Sequence, residues 1–323
     1  MKKAYTLVFL LMFLVSAHAE DGYQLWLRYK KTDVPAVLLG YRAAISGMLV
    51  KGNSSTIQAV RDELKKGLSG MLDKQIPEHV AIQQGSVVVG SLSDLKDGLD
   101  VTLDVPENRE GFLIKTITDK KKSFTVICSS SDIGLLYGTF HFLRLMQMNA
   151  FINNLNIKSS PSLKLRLLNH WDNLNRHVER GYAGWSIWNW HTLPDYKDPR
   201  YTDYARANAS LGINGVTVTN VNANAQTLTP LYLEKLAALA DIFRPYGIRL
   251  YLTARFNAPM DLDKLKTADP LNEEVIAWWK KKTEEIYKYI PDFGGFLVKA
   301  NSEGQPGPQN FQRTHADGAN MLA

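Results

Sequence analysis

The feature that most constrains this chain is an alternation that sets in after residue 162. Residues 163–169, 213–219, 248–253 and 295–300 are short apolar runs that read as buried strands. Helical patterns separate them, at residues 200–210, from Thr229-Pro230 to Tyr246-Gly247, and from Asp269-Pro270 to about Ile290. Proline opens the second of these helices and glycine lies just past its end, as helix termini prefer. Strands that alternate with helices of this length imply a parallel sheet with right-handed crossovers. The sheet could close into an eight-stranded barrel or stay open and doubly wound. No glycine-rich phosphate loop comes after any of the strands, which counts against a nucleotide-binding sheet. Polar and aromatic residues cluster just after the strand ends: His170-Trp171-Asp172-Asn173, Asn220-Val221-Asn222, Arg255-Phe256-Asn257 and Lys299-Ala300-Asn301-Ser302-Glu303. A β/α barrel builds its active site on that rim, so these runs favour the barrel. Four strands are half of what such a barrel needs, so the expectation is a truncated barrel whose last strand has a bare edge.

The first half reads differently. Ile57, Val60, Leu64, Leu68 and Met71 recur at helical spacing over residues 54–73. Residues 86–89 form a short buried strand, and residues 112–117 and 124–128 form a hairpin across a polar turn. Ser131 or Asp132 caps a helix to about Met148 that is apolar on most faces and should be wedged between layers. Residues 156–162 read as a linker. The organisation expected is a leader at 1–19, an α+β domain at 20–155 and a partial barrel at 156–323.

The leader is expected because Lys2 and Lys3 precede an apolar run and a small-residue end, Ala17-His18-Ala19, the layout of a secretory signal peptide. The mature protein is then periplasmic or extracellular, and the run is too short to span a bilayer comfortably. Cys128 is the one cysteine, so no internal disulfide can form; it lies in an apolar run and reads as a buried thiol. Net charge is +6, and loss of Lys2 and Lys3 leaves +4. The runs Lys120-Lys121-Lys122 and Lys280-Lys281-Lys282 read as solvated faces, and no nucleic-acid footprint is present.

Glu303 comes just after a buried strand and precedes a stiff turn, Gly304-Gln305-Pro306-Gly307-Pro308. A carboxyl group on a rim beside aromatics and amides suits a glycosidase acid, which must stay protonated near neutral pH. From spacing alone the plainer reading is a structural carboxylate that closes the rim, bonded to backbone amides of the proline-glycine turn. Lys299, at the end of a buried strand, must pair with a carboxylate of the protein or meet an anionic substrate. Trp171, Trp185, Trp188 and Trp190 gather beside the polar rim, which favours a carbohydrate site over simple core burial. His170, His177 and His191 lack metal-ligand spacing, and no Gly-x-Ser-x-Gly elbow occurs.

At these residues the match becomes specific. The runs His170-Trp171-Asp172-Asn173-Leu174, Val178-Glu179-Arg180-Gly181-Tyr182-Ala183-Gly184 and Ser186-Ile187-Trp188 resemble the opening of the barrel in α-glucuronidases of glycoside hydrolase family 67. The run from Gly295 through Lys299 and Glu303 to Pro308 resembles that family's acid-bearing strand end, and the run Thr314-His315-Ala316-Asp317-Gly318-Ala319-Asn320 resembles a segment of the same family. Leu135-Leu136-Tyr137-Gly138-Thr139-Phe140-His141-Phe142-Leu143-Arg144 resembles the α+β domain that precedes the barrel there and in hexosaminidase-type enzymes. The resemblance implies that domain, a (β/α)8 barrel and a mainly helical C-terminal domain. It implies inverting, metal-free hydrolysis of α-1,2-linked 4-O-methyl-glucuronic acid from xylo-oligosaccharides, with no cofactor. Carried over by motif, Glu303 is the general acid, Lys299 contacts the glucuronate carboxylate, and Trp171 and Val221 line the sugar pocket. Asp172 and Asn301 are candidates for binding substrate hydroxyls. The resemblance places the general base on a strand later than the acid, beyond Ala323, and is compatible with a homodimer of the full-length enzyme. A non-catalytic secreted sugar-binding protein and a different glycosidase sharing the first domain are the competing readings; the motif at 295–308 discriminates against the latter.

Overall fold

The computed structural model describes residues 20–323 except 96–100, 120, 223 and 302. The expected leader at 1–19 lies outside the described residues, as does Lys120. Among the described residues no helix is long and apolar enough to cross a membrane.

The N-terminal unit begins with α1 (Pro35–Ala44) and β1 (Gly47–Val50), neither of which the sequence pattern predicts. Next come α2 (Ser55–Leu72), β2 (Ser86–Ser91), the single turn α3 (Leu92–Leu95), β3 (Phe112–Asp119), β4 (Lys122–Ser129) and α4 (Asp132–Gln147). The expected cap is in place, with Ser131 accepting from the Gly134 amide at 3.3 Å, and Ser54 caps α2 by accepting from the Ile57 amide at 3.1 Å. Residues expected as a linker instead form a fifth strand, β5 (Asn156–Ser159), paired antiparallel with β3. Hydrophobicity alone misses it, because an edge strand needs only backbone pairing and this one presents half-exposed and exposed side chains. The sheet order is β1-β2-β4-β3-β5. Alternation along the strands divides its two faces. Val87, Val89, Ile114 and Ile127 face α2 and α4, whereas Val88, Val126 and Cys128 form a smaller cluster on the other side. Burial pushes the Cys128 thiol up to about 12, so it is an inert packing residue.

The second unit holds β6 (Leu167–Asn169), α5 (Pro199–Ser210), β7 (Gly215–Thr217), α6 (Pro230–Phe243), β8 (Arg249–Ala254), α7 (Ala258–Asp263), α8 (Glu273–Tyr289), β9 (Gly295–Val298) and α9 (His315–Leu322). The four strands lie in sequence order and pair parallel, with Leu168 opposite Val216, Val216 opposite Leu250 and Leu252 opposite Phe296. Two expectations change here. The helix expected to open at Asp269-Pro270 starts at Glu273, because Asn272 takes the cap and accepts from the Glu274 and Val275 amides. Asp269 grips Arg313 instead at 2.8 Å, and that hydrogen bond holds its carboxyl below the usual range. The second lysine run is not uniformly solvated either. Lys282 is largely buried, pairs with Glu285 at 2.7 Å and lies over the Trp278 ring.

The two units are welded where α2 meets α5. Arg206 donates to both carboxylate oxygens of Glu63, at 2.8 and 3.0 Å, and the Glu63 side chain is 4 % exposed. Tyr29 donates to the same carboxylate at 2.7 Å; burial and Glu63 push its phenol far up, so it remains a donor. Around this centre, Arg144 donates to the Ser210 carbonyl, and Ala209 and Tyr246 enter the N-terminal core. Arg166 pairs with Glu110 at 2.7 Å on the far side. Gly247 has a φ of +71°, and a Cβ there would come within 2.7 Å of Ile133, so its glycine serves both the helix end and the close approach of α4. Glu63→Leu should destabilise the protein by about 3–5 kcal/mol, because it strands a buried guanidinium. Glu63→Leu combined with Arg206→Met should recover most of that. Equilibrium urea unfolding checks both, and a single-variant cost below about 1 kcal/mol would contradict the assignment.

Candidate active site

The C-terminal ends of β6 to β9 open on one edge, and the segments beyond them build the site. After β6, residues 170–190 fold into a compact loop. Short antiparallel bridges join Asp172 to Val178 and His177 to Trp185. Asn173 donates to the carbonyls of His177 and Glu179, and the Ser186 amide donates to the Arg176 carbonyl at 2.7 Å. Asp172 is 3 % exposed, its carbonyl accepts from the Asn220 amide, and its carboxylate lies 3.7 Å from His170. His170 is in turn bonded to Tyr204 at 2.7 Å. Glu179 sits at a φ of +54° with one carboxylate oxygen buried and unpartnered among the described residues.

The four tryptophans divide. Trp188 and Trp190 are core residues, with Trp188 edge-on to Tyr204 and Phe243. This corrects the expectation that all four mark a sugar site. Trp171 and Trp185 remain exposed beside the rim, with Trp185 against His177.

A cavity of about 590 Å³ opens over the ends of β6, β7 and β8, walled by Asp172, Asn173, Thr219, Asn222, Arg255 and Asp261. Arg255 and Asp261 form an ion pair at 2.9 Å. The Asn222 carbonyl oxygen is buried without a partner among the described residues. The wall is thus rich in groups that can bond hydroxyls. Val221 is half-buried beside Asn222 but does not line this cavity.

Glu303 stands at its margin. One carboxylate oxygen accepts from Lys299 at 2.6 Å and from the Asn222 amide at 3.3 Å, and the other lies 3.7 Å from the Arg180 guanidinium. The structure therefore brings Glu303 and Lys299 together and adds Asn222 and Arg180. Asn222 is visible in the sequence as a rim residue, and Arg180 lies within one of the family-like runs, but no spacing rule joins Arg180 to a carboxylate on another loop. Asn301 is turned to bracing: its amide donates to Asn310, which also accepts from the Gly307 amide. A Cβ on Gly307 would stand 2.1 Å from the Asn301 side chain, so the turn requires glycine there. Asn301, Glu303 and Gly304 all have positive φ, so Glu303 sits on tightly wound backbone. The hydrogen bond from Lys299, then that from Asn222, then the two cations hold the Glu303 carboxyl below the usual carboxylate range. In the free site Glu303 is thus a carboxylate, contrary to the expectation that it stays protonated near neutral pH. Burial would keep it neutral, but its side chain is 46 % exposed and faces two cations. Among the described residues no three His, Cys, Asp or Glu side chains group in a way that could hold a metal ion.

The model of the glycosyl hydrolase family 67 N-terminus matches residues 25–142, and that of the family's middle domain matches residues 145–323. A probable alpha-glucuronidase A of Aspergillus fumigatus is 38% identical over 316 residues, covering 95% of this chain and 36% of that protein. Alpha-glucuronidase A of Emericella nidulans is 37% identical over 321 residues, 96% of this chain and 37% of the relative. The chain thus spans little more than a third of the length of these curated relatives. Two solved structures share the fold at low identity. A family GH115 4-O-methyl-alpha-glucuronidase with specificity for decorated arabinogalactans has a TM-score of 0.54 at 11% identity, over 82% of this chain and 37% of that one. A GH138 enzyme targeting pectin rhamnogalacturonan II has 0.53 at 15%, over 79% and 38%.

The division of the tryptophans is directly testable. Trp188→Ala should cost about 3–5 kcal/mol of stability, as for a large core truncation, whereas Trp171→Ala should leave the melting temperature within about 1 °C. Thermal unfolding of both variants checks this, and equal losses would contradict the placement.

Proposed function

Because the chain belongs to glycosyl hydrolase family 67, we propose that it carries the acid-bearing part of an α-glucuronidase. The substrate is α-1,2-linked (4-O-methyl)glucuronic acid on xylo-oligosaccharides, and β6 to β9 form the first half of a (β/α)8 barrel. The observation that carries the reading is the Lys299–Glu303 pair at a polar cavity over parallel strand ends. A carboxyl group and an ammonium group within one hydrogen bond suit a substrate that is both a glycoside and an anion.

In this reading Glu303 gives its proton to the xylose oxygen as the glycosidic bond breaks. A water activated by a second carboxylate attacks the opposite face of the sugar, which inverts the anomeric centre. That base would stand about 6.5–9.5 Å from the acid, on a strand later than β9 as the family resemblance implies. Lys299 grips the uronate carboxylate with a charge-assisted bond. Trp171, exposed beside the rim, offers a face for the sugar ring, and Asp172 in the cavity wall offers an acceptor for its hydroxyls. We assign Val221 to the neighbourhood of the O-methyl group on motif alone. The pattern of residues 1–19 supports export from the cytoplasm.

In the full-length enzyme Glu303→Ala should reduce kcat by roughly 10²–10⁴-fold with little change in fold. Lys299→Ala should raise KM for the uronate and leave affinity for uncharged analogues unaltered. Steady-state kinetics on aldouronic xylo-oligosaccharides test both, and a near-wild-type rate for Glu303→Ala removes Glu303 from the chemistry. On this reading the 323-residue chain by itself should release no glucuronic acid, because the proposed base lies on a strand later than β9. Measurable release by the purified polypeptide would overturn that part of the proposal.

A further inference from the structure

The contact that marks the site also creates a difficulty for the reaction. A general acid must hold a proton when the glycosidic oxygen departs. In the free site, however, Glu303 accepts from the Lys299 ammonium at 2.6 Å and from the Asn222 amide at 3.3 Å, and faces the Arg180 guanidinium at 3.7 Å. Each neighbour as placed favours the charged form: Lys299 and Arg180 can only donate, and Asn222 turns its NH2 donor to the carboxylate. Left as it stands, this arrangement gives a well-stabilised anion and a poor proton donor.

We propose that the uronate group of the substrate switches the acid on: it takes the Lys299 ammonium away from Glu303, and Glu303 then binds from solvent the proton that it will donate. The inference rests on the glucuronidase reading above and makes turnover depend on the carboxylate of the sugar. One group on the substrate would serve both recognition and catalysis.

Three physical effects act in the same direction when a uronate binds. The short hydrogen bond from Lys299 to Glu303 is exchanged for one to the incoming carboxylate, and Lys299, with a side chain 15 % exposed, can reach it by a small rotation at the end of its stem. The added negative charge offsets the ammonium that had held Glu303 ionised. The sugar also covers a Glu303 side chain that is half-exposed in the free site, and loss of water disfavours the anion. Arg180 works against this, but its side chain is 72 % exposed and screened by solvent, and it lies 3.4 Å from Glu179 as well. The charged groups that bear on Glu303 are therefore Lys299 from its own turn and Arg180, with Glu179 behind it, from the loop after β6. Asn222, from the segment after β7, is neutral. Proton balance is simple: one proton is taken up from solvent on binding, passed to the departing xylose oxygen, and restored from solvent in the next cycle.

Linkage makes the exchange measurable without turnover. If uronate binding raises proton affinity at Glu303, a lower pH must raise uronate affinity by the same coupling. The experiment is calorimetric titration of the full-length enzyme with free glucuronate, which is the product sugar, in buffers of different ionisation enthalpy from about pH 4.5 to 7. We expect uptake of most of one proton per glucuronate near about pH 5–6, with affinity rising several-fold as pH falls through that range. Glucose should show neither effect. Glu303→Gln should abolish the uptake while still binding glucuronate. Lys299→Met should reduce the uptake, because no ammonium is left to be exchanged, and the basic limb of its kcat/KM profile should move up by about one pH unit. Zero uptake by the wild-type enzyme, or unchanged uptake in Glu303→Gln, overturns the switch. Whether Glu303 is the acid at all is decided separately, by comparing Glu303→Gln on the xylo-oligosaccharide and on an aryl glucuronide whose leaving group needs no proton. Loss on the first and retention on the second keeps the acid assignment even when the calorimetry refutes the switch. Retention on both overturns the acid assignment, and the switch with it.

Discussion

Four strands running the same way fix everything else about the second unit. Leu168, Val216 and Leu250 lie in register across β6 to β8, and Leu252 of β8 stands opposite Phe296 of β9. All four strands therefore leave the sheet on one edge, and the helices between them return on the outside. Neighbouring strands are about 4.8 Å apart, so β7 and β9 stand about 10 Å from each other with β8 between them. Side chains fixed at the strand ends could not touch across that gap. The segments after the strands must fold inward, and they do: Asn222 from the second and Arg180 from the first reach Glu303 on the fourth. The cavity is the space these inward turns enclose above the strand ends.

That arrangement would have little value if the sheet moved against the domain before it. The N-terminal sheet packs α2 and α4 against its own strands, and α2 presents Glu63 to α5. Arg206 answers with a two-pronged bond, and Tyr29 occupies one of the same oxygens. A buried ion pair is a weak source of net stability, since desolvation offsets most of the attraction, but it is intolerant of misplacement. Its value lies in geometry. It fixes α5, and α5 comes directly after the loop that carries Trp171, Asp172 and Arg180.

The candidate site is partly legible from residue order. Glu303 and Lys299 stand out because charged residues at the end of an apolar strand are uncommon and must find partners. Which partner Lys299 takes is not legible, and the sequence leaves both a protein carboxylate and a substrate anion open. The structure selects the first for the free state. The charge on Glu303 is likewise out of reach of sequence, since besides Lys299 it depends on a hydrogen bond from Asn222, about eighty positions earlier and on another loop. The tryptophans show the same limit. Trp185 and Trp188 are three residues apart in one loop, yet one is exposed and the other is sealed against Tyr204 and Phe243. The strand Asn156–Ser159 is a further case, because its pairing with β3 depends on a partner some forty residues away and not on its own hydrophobicity.

The sequence alone determined several elements and their order: the helix over 55–72, the hairpin of β3 and β4, the capped helix after it, and the alternation that makes a parallel sheet. These are properties of consecutive residues, set by the period of apolar side chains and by which residue can satisfy a free amide at a helix end. Only the tertiary structure decided that Asn301 braces a turn, that Asn272 and not Asp269 opens α8, that two tryptophans are core, and that the proposed acid rests as an anion between two cations. Those outcomes depend on distance and desolvation between groups far apart in the chain, and Coulomb interactions depend on distance in space, not position in sequence.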